Sequence, residues 1–405
     1  MPLKTCWPGP ACLLSVTGNF TAAETTQMED CVNFEIITEP SQLERVCQQA
    51  RQVPAVMLDT EFVRTRTLYP RLGLIQLYDG ETLSLIDPIE LDDLSPLWGL
   101  LTDESVVKVL HACSEDLEVF YHYAGAMPTP MVDTQIMAAF LGHGLSTGFA
   151  SLVEEYLVVT LDKGEARTDW CARPLSEKQL EYAAADVYYL LPLYNELSKR
   201  VSAAGWDEAV KQECALMASK RGKTPEPEKA YLDIKNAWQL RPKQLAVLQK
   251  LASWRLREAQ RRDLALNFVV RELHLWKMAR FNIRSLDKMA EEGFDRFEIE
   301  RHGSRLIRMA QEADKTPASL YPEEIVRLVD MPGYKQMVKN IKEQTNAVAE
   351  KLGVVPEFVG SKKQIHQVLK WAWMNDRNPE KMPDMLTGWR KTYLADKVLA
   401  VLDGQ

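Results

Sequence analysis

The chain has 405 residues, of which 46% are hydrophobic and 26% are charged, and its formal net charge is −8 at pH 7. This length exceeds what one hydrophobic core usually supports, and the composition excludes a disordered or fibrous chain. No apolar run approaches the ~20 residues of a transmembrane helix, so no membrane partner is expected. The seven cysteines are scattered, without a Cys-x-x-Cys pair. This pattern argues against a disulfide framework or a zinc site and predicts a reducing compartment, the cytoplasm.

The charge is divided unequally between the two halves of the chain. Residues 1–200 carry 13 Lys and Arg against 29 Asp and Glu, a net of −16, whereas residues 201–405 carry 36 against 28, a net of +8. This asymmetry suits a metal-dependent site in the first half beside a phosphate-binding surface in the second. Helical regions are also often basic without binding nucleic acid, so both interpretations stay open.

Strands and helices alternate in the first half of the chain. We predict a disordered extension over residues 1–30, and then strands over 32–37, 55–62, 73–78, 83–87 and 106–110. Helices are predicted over 41–51 and 114–124, and residues 131–201 are mostly helical. Asp79-Gly80 predicts a tight hairpin turn between two of the strands. The pattern indicates a mixed α/β sheet covered on both faces.

The pattern changes after Trp206. Residues 206–229 end in a charged segment interrupted by prolines, which predicts a linker. Residues 230–312 and 313–405 show only helical periodicity and are separated by a polar break near Pro317. We therefore predict an α/β domain over 31–205, followed by two helical modules that suggest a duplicated unit.

Acidic residues stand at three places where such side chains are rare. Asp59 and Glu61 end a buried apolar strand, and residues two apart on a strand share one face. Asp116 lies at the start of a helix, and Tyr182 and Asp186, four apart, share a helix face. Each motif alone is weak, since acids often cap helices or face solvent. Together they provide the hard oxygen ligands that two Mg²⁺ or Mn²⁺ ions need around a phosphodiester.

The same segments resemble the ribonuclease D family, within the DEDD superfamily of 3′→5′ exonucleases. The resemblance rests on LDTEFVRTRT at 58–67, HACSEDLEVF at 111–120 and TDWCARPL at 168–175. The tyrosine four residues before Asp186 is typical of the tyrosine subgroup. The later segments WQL at 238–240 and QLAVL at 244–248 are similar to the start of an HRDC domain, a unit that binds nucleic acids. LTGWR at 386–390, near the end of the second helical module, also resembles the ribonuclease D family. The resemblance extends over about residues 31–402.

The resemblance implies a fold, an activity and a set of roles. The fold would be a ribonuclease-H-like α/β exonuclease domain followed by two all-α HRDC domains. The enzyme would trim RNA, tRNA precursors above all, from unpaired 3′ ends and release nucleoside 5′-monophosphates, and a monomer is expected. Two divalent ions would be held by Asp59, Glu61, Asp116 and Asp186. Tyr182 would orient the attacking water, because a phenol with a pKa of ~10 positions water better than it removes a proton.

Other residues carry weaker predictions. Arg64, Arg66 and Arg71 could grip phosphates, or could neutralise the acids or face solvent. A stretch of basic and aromatic residues could clamp a single strand, or could be a loop ordered by a buried tryptophan. Its members are Lys163, Arg167, Trp170 and Arg173.

Three residues near the acidic motifs are predicted to support the site or the fold. His111 is predicted to be a satisfied structural histidine, Glu115 a helix cap or surface acid, and Asp133 a capping residue or a support for the ligands. In the helical modules, two basic clusters could contact phosphate or could be solvated helix faces. They are Arg255, Arg257, Arg261 and Arg262, and Lys362, Lys363 and Lys370.

Two other functions remain open from the residues. A DNA 3′→5′ exonuclease of the repair type would share every predicted ligand, because no residue pattern here reads a 2′-hydroxyl. A non-catalytic RNA-binding protein would use the basic modules and an inert nuclease fold. The complete set of acids argues against the latter.

Overall fold

The structure is a computed structural model that describes residues 32–162, 164–222 and 225–404. The predicted disordered extension over 1–30 lies outside these residues. Two compact units are formed. The first contains the described parts of Met1–Val63, Arg71–Gly222 and Ala347–Val359, and the second those of Arg64–Pro70, Lys223–Asn346 and Gly360–Gln405. Within the described ranges, no helix combines the length and apolar character needed to cross a membrane.

A six-stranded mixed sheet organises the first unit. Its strands, in chain order, are β1 (Glu35–Ile37), β2 (Ala55–Val63), β3 (Arg71–Tyr78), β4 (Leu83–Ile86), β5 (Val107–Leu110) and β6 (Met131–Asp133). Their order across the sheet is β1-β4-β3-β2-β5-β6. The β2–β3 and β3–β4 pairs are antiparallel, and the other three pairs are parallel. The predicted mixed sheet and the hairpin at Asp79-Gly80 are confirmed.

Eight helices accompany this sheet in the described part of the first unit before residue 223. They are α1 (Pro40–Ala50), α2 (Ser95–Leu101), α3 (Asp116–Ala124), α4 (Thr134–Phe140), α5 (Phe149–Leu157), α6 (Glu177–Tyr188), α7 (Leu190–Ala203) and α8 (Asp207–Arg221). One face of the sheet packs on α6 through Met57, Leu74 and Leu85 from the strands and Ala183 and Val187 from the helix.

The predicted linker is wrong over most of its length, because α8 is a fifteen-residue helix of the first unit. Val210, Cys214 and Ala218 recur every four residues and are buried, and Cys214 Sγ accepts a hydrogen bond from the Asp133 backbone N–H at 3.4 Å. This spacing gives the helix one apolar stripe, which packs against β6 and α4.

The second unit is helical, as predicted. Its first part has a core of residues 231–313, centred on the long helix α9 (Pro242–Arg262). The shorter helices that follow are α10 (Leu266–Val269), α11 (Glu272–Arg280), α12 (Leu286–Glu291), α13 (Arg296–Glu298) and α14 (Ser304–Ala313). The last helices of the chain are α15 (Tyr334–Leu352), α16 (Pro356–Val359), α17 (Lys362–Met374), α18 (Gly388–Arg390) and α19 (Asp396–Leu402). The end of α15 and all of α16 group with the first unit, where Phe358 lies 4.7 Å from the Phe140 ring.

The predicted arginine cluster on α9 is mostly engaged in structure. Arg255 is only 5% exposed and donates to the Val270 carbonyl at 3.3 Å. Arg261 and Arg262 pair with Glu258 at 2.7 and 3.7 Å. A phosphate contact by Arg255 is therefore wrong, because its side chain is inside the core.

Candidate active site

Two acids leave the same face of the central strand β2. Val56, Met57 and Leu58 are buried, and Asp59 and Glu61 continue the strand at its carboxyl end. Because residues two apart on a strand point to the same side, both carboxylates face α6. The pairing shifts by one residue beside Glu61, where β3 contributes the extra residue Gly73. A Cβ at Gly73 would lie 2.5 Å from the Trp170 carbonyl oxygen, so only glycine fits this bulge.

Helix α6 brings the other half of the site. It begins with a capping box, in which Ser176 Oγ accepts from the Gln179 N–H at 3.2 Å and Gln179 Oε1 accepts from the Ser176 N–H at 3.0 Å. Ala183 and Ala184 are fully buried, and these small side chains allow the helix to lie close to β2, β3 and β4. Tyr182 and Asp186 are therefore carried towards the acids of β2.

Three of the four predicted ligands converge. Each of Asp59, Glu61 and Asp186 offers a carboxylate oxygen, and these oxygens all lie within 4.8 Å of one another. Oxygen donors at this spacing suit a hard divalent cation. We call these residues the acidic cluster.

The fourth predicted ligand, Asp116, lies outside this group of three. It is 7% exposed at the first turn of α3, and its Oδ1 accepts a hydrogen bond from the Thr60 hydroxyl. Burial raises the pKa of Asp116 to about 6, and the bond from Thr60 opposes this rise. Asp116 still acts electrostatically on the cluster, because its charge raises the pKa values of Asp59 and Glu61.

Among the described residues, the charges that act on Asp59 and Glu61 of the acidic cluster are those of other acids. Burial is the main cause that raises the pKa of Glu61 to about 9 and the pKa of Asp186 to about 7. The pKa of Asp59 is also raised well above its ordinary value, first by burial and then by repulsion from Asp116, Asp186 and Glu61. Partly buried carboxylates that repel one another are stabilised by a bound cation, so this donor set fits a divalent metal ion.

Tyr182 is held beside the acids as a neutral phenol. Burial raises the pKa of its hydroxyl far above the ordinary value, and the charges of Asp186, Glu61 and Asp59 raise it further. The hydroxyl lies close to the Asp186 carboxylate, and their interaction favours the protonated phenol. At neutral pH this group is therefore a hydrogen-bond donor and not a base.

The loop between β5 and α3 is fixed by Asp133. This residue is fully buried, and its carboxylate accepts the backbone N–H groups of Ala112, Cys113 and Gln135 at 3.1, 3.0 and 2.7 Å. Ala112 has a φ of +52°, a conformation that non-glycine residues adopt only when their surroundings impose it. The predicted supporting role of Asp133 agrees with these contacts. Glu115 is exposed at the cap position of α3, as its prediction allows.

His111 stands next to the acidic cluster in a cavity of about 170 Å³. The lining residues are Leu58, Asp59, His111, Phe149, Tyr182, Asp186 and Leu190. Nδ1 of His111 lies 2.9 Å from the Thr134 hydroxyl, whereas Nε2 is buried without a hydrogen-bond partner among the described residues. Burial lowers the pKa of the ring, although Asp133 and the Thr147 carbonyl favour its charged form. The prediction that both ring nitrogens of His111 have hydrogen-bond partners is therefore right for Nδ1 and wrong for Nε2.

Trp170 and Arg173 are structural, which corrects their predicted role in substrate binding. Trp170 is 1% exposed in the core under α6, so its indole cannot stack on a base. The guanidinium of Arg173 donates twice to Asp87, at 2.6 Å each, and to the Gly73 and Trp170 carbonyls at 2.7 and 2.9 Å. Asp87 and Gly73 lie 86 and 100 residues from Arg173 in the sequence, so local spacing gives no sign of these two partners.

The remaining predicted substrate contacts stay predictions. Lys163 lies outside the described residues. Arg64, Arg66 and Arg167 are exposed. Arg66 is held within the second unit, where its guanidinium lies 5.7 Å from the Phe268 ring centroid and its carbonyl accepts the Ala265 N–H at 2.8 Å. The contact of Thr60 with Asp116 and the position of His111 at the cavity were not predicted from the sequence. Their positions inside two of the acidic motifs were the available signal.

Comparison with known proteins places these features in one family. A family model described as 3′-5′ exonuclease matches residues 34–202. Models described as HRDC domain and as ribonuclease D, C-terminal HRDC domain match residues 244–309 and 332–398. Ribonuclease D of Serratia proteamaculans is 50% identical over 92% of this chain and 100% of its own length. Ribonuclease D of Escherichia coli is 50% identical over 90% of this chain and 97% of its own length.

A solved structure agrees with the sequence matches. The crystal structure of Escherichia coli RNase D, described as an exoribonuclease involved in structured RNA processing, has a TM-score of 0.89 and 49% identity. The match covers 92% of this chain and 99% of that one. A protein from Bifidobacterium adolescentis at 21% identity, with a TM-score of 0.65, shares the fold.

Proposed function

The chain belongs to the ribonuclease D family of 3′→5′ exoribonucleases, and from this premise we propose that it removes nucleoside 5′-monophosphates from RNA 3′ ends by two-metal-ion hydrolysis. The observation that carries the proposal is the acidic cluster, in which three carboxylate oxygens lie within 4.8 Å of one another. Their raised pKa values are the expected property of ligands that await a cation.

Each acid has a part in holding the metal ions. Asp59, Glu61 and Asp186 would bind them directly, and Asp116 would complete the set through the carboxylate oxygen that Thr60 does not engage. Bound Mg²⁺ or Mn²⁺ ions would supply a water of lowered pKa and positive charge for the departing 3′ oxygen. The partly buried position of the acids weakens the screening of that charge by bulk water.

Tyr182 positions the attacking water. Its phenol remains protonated at neutral pH, and its hydroxyl lies within hydrogen-bond reach of Asp186. A donor held there can orient a water lone pair towards phosphorus without removing a proton. Removal of the proton is then left to the metal site.

The proposed substrate, oligomeric state and location rest on the family and on the cysteines and domain matches of this chain. We propose tRNA precursors with single-stranded 3′ tails as substrates, a monomeric enzyme and a cytoplasmic location. Cys47, Cys113, Cys171 and Cys214 are free thiols, which suits a reducing compartment. The exonuclease and HRDC matches at 34–202, 244–309 and 332–398 support the proposed division into three domains.

The test is a time course on a 5′-labelled tRNA that carries a short 3′ extension, beside its DNA counterpart, in Mg²⁺. We expect a ladder that shortens one nucleotide at a time on RNA only. Asp186→Asn should abolish the ladder while tRNA binding is kept. Glu115→Gln, which removes an exposed acid of the same motif region, is the control and should leave the rate unchanged.

Two outcomes would replace this proposal. Shortening of the DNA alone would keep the metal site and favour a DNA 3′→5′ exonuclease. No shortening of either substrate, with tRNA still bound, would favour a non-catalytic RNA-binding protein.

A further inference from the structure

The contacts of His111 indicate which tautomer its imidazole adopts. The Thr134 hydroxyl lies 2.9 Å from His111 Nδ1 and 3.2 Å from the Leu110 carbonyl oxygen. A carbonyl can only accept, so both contacts are satisfied when Thr134 donates to Leu110 and accepts from an Nδ1–H. A neutral imidazole carries one proton. Nε2 is therefore left with a lone pair and no hydrogen on it.

This lone pair has no partner in the described part of the chain, although the atom is buried. A buried acceptor without a donor costs about 1–3 kcal/mol, so its presence beside a site points to a ligand. A metal ion is not that ligand, because Mg²⁺ and Mn²⁺ prefer oxygen donors, which the neighbouring acids already offer. The missing partner must be a hydrogen-bond donor, which excludes phosphate oxygens and carboxylates.

The cavity around His111 has the size and lining of a sugar site. Its 170 Å³ corresponds to roughly five or six waters, which accommodates a pentose better than a whole nucleotide. Leu58, Phe149 and Leu190 line it with apolar surface, and the Phe149 ring lies 5.5 Å from the imidazole. Asp59 and Asp186 of the acidic cluster line the same cavity. The sugar next to the scissile phosphate is therefore the part of an RNA end that fits here.

We propose that Nε2 of His111 accepts a hydrogen bond from a ribose hydroxyl of the 3′-terminal nucleotide and thereby selects that sugar. This inference rests on the proposed exonuclease function and adds a specificity residue to it. The imidazole is well suited to the task because it is held rigidly. The Thr134 hydroxyl contacts Nδ1 of His111, and the Asp133 carboxylate accepts hydrogen bonds from the backbone of the two residues after His111.

The experiment measures removal of the first nucleotide from three matched RNA oligonucleotides in Mg²⁺. Their terminal residues are a ribonucleotide, a 2′-deoxynucleotide and a 3′-deoxynucleotide. The wild-type protein should process one of the deoxy ends about 10-fold more slowly in kcat/KM, the size of one hydrogen bond in a closed site. In His111→Phe that ratio should fall to about 1, because the acceptor is gone. The end whose ratio changes identifies which hydroxyl is bound.

Two further variants test whether the change in the ratio comes from the His111 acceptor. Thr134→Val keeps the imidazole but removes the group that fixes its tautomer, so the ratio should fall by a smaller amount. His143→Phe is the matched control, because His143 belongs to the same unit, pairs with the Tyr156 hydroxyl at 2.7 Å and does not line the cavity. It should leave the ratio unchanged. Circular dichroism and the Mg²⁺-induced shift in Tm establish that each variant is folded.

The failures can be told apart. A wild-type protein that shortens none of the oligonucleotides defeats the proposed function itself. Equal slowing of all three substrates in a folded His111→Phe protein would overturn only the present inference, since it would assign His111 to a bound water or to structure.

Discussion

The acidic cluster and the Asp87–Arg173 pair both hold carboxylates that are shielded from solvent in the same unit, partly in the cluster and almost fully at Asp87, but they differ in how the charge is balanced. Asp87 is 5% exposed and receives two hydrogen bonds of 2.6 Å from Arg173. The charged neighbours that act on Asp59 are all acids, and its pKa is raised. A shielded carboxylate that is paired with a cation thus indicates a structural role. A shielded carboxylate with only acidic neighbours indicates a ligand-binding site.

The largest expected effect comes from Asp59→Asn. Loss of one cluster carboxylate should lower the single-turnover rate on the order of 10³-fold or more, because the metal ions lose a ligand. The same change relieves repulsion, so the metal-free protein should unfold at the same Tm or a higher one. A variant that is both inactive and strongly destabilised would contradict the comparison. Activity is measured in Mg²⁺ and thermal unfolding in EDTA.

Arg173→Met should give the opposite result. It leaves Asp87 buried without its partner, and breaking such a pair costs about 3–5 kcal/mol of unfolding free energy. At a temperature where the variant is folded, KM for RNA should match the wild-type value. Arg167→Met, which removes an exposed arginine of the same loop region, is the control and should leave stability unchanged. A raised KM in Arg173→Met with unchanged stability would restore a substrate-binding role.

The cluster should also make the metal-free protein sensitive to pH. The pKa of Glu61 rises from 4.5 to about 9 on folding, so the folded state prefers the protonated acid. Its stabilising contribution is complete below pH 4.5 and is lost as the pH rises towards about 9.

Urea unfolding in EDTA at pH 5, 7 and 8.5 would measure this effect. We expect Glu61→Gln to be more stable than wild type by about 1 kcal/mol or more at pH 8.5, with a smaller difference at pH 5. Mg²⁺ should remove much of the wild-type loss, because bound cations balance the charge. A wild-type protein that gains stability over Glu61→Gln as the pH rises would exclude an unbalanced cluster.

The smallest expected effect is that of Thr60→Val. The substitution keeps the shape of the side chain and removes the hydrogen bond to Asp116. We expect the rate to fall by about 5-fold and the apparent Mg²⁺ affinity to weaken, which corresponds to the roughly 1 kcal/mol that one hydrogen bond typically contributes. Measuring the rate as a function of Mg²⁺ concentration separates the effect on the maximal rate from the effect on Mg²⁺ affinity. An unchanged metal dependence would mean that Asp116 is positioned by α3 alone.

The parts of this molecule that local rules govern could be predicted from the sequence. The apolar run before Asp59 predicts β2, Asp79-Gly80 predicts the hairpin, and the four-residue spacing places Tyr182 and Asp186 on one face of α6. These features depend on residues within one strand, one turn or one helix.

The parts that distant partners govern could not be predicted. Arg173 looks like a free cation until β4 brings Asp87 beside it, and Trp170 looks like a stacking platform until Gly73 lets its backbone approach the sheet. The helix over 207–221 was predicted as a linker because of its charged residues, although Val210, Cys214 and Ala218 have helical spacing. The errors at Arg173 and Trp170 concern side chains whose roles are set by residues far away in the chain, whereas the error over 207–221 is a missed local pattern.

Asp133 has a consequence for local opening of the structure. Its carboxylate joins the end of the three-residue edge strand β6 to the loop before Asp116 by two N–H bonds, from Ala112 and Cys113. If β6 separates from β5, these two amides lose their acceptor together, and the left-handed backbone of Ala112 is free to relax. The amides of Ala112 and Cys113 should therefore exchange with solvent deuterium as one cooperative group, at the rate at which this edge of the sheet opens.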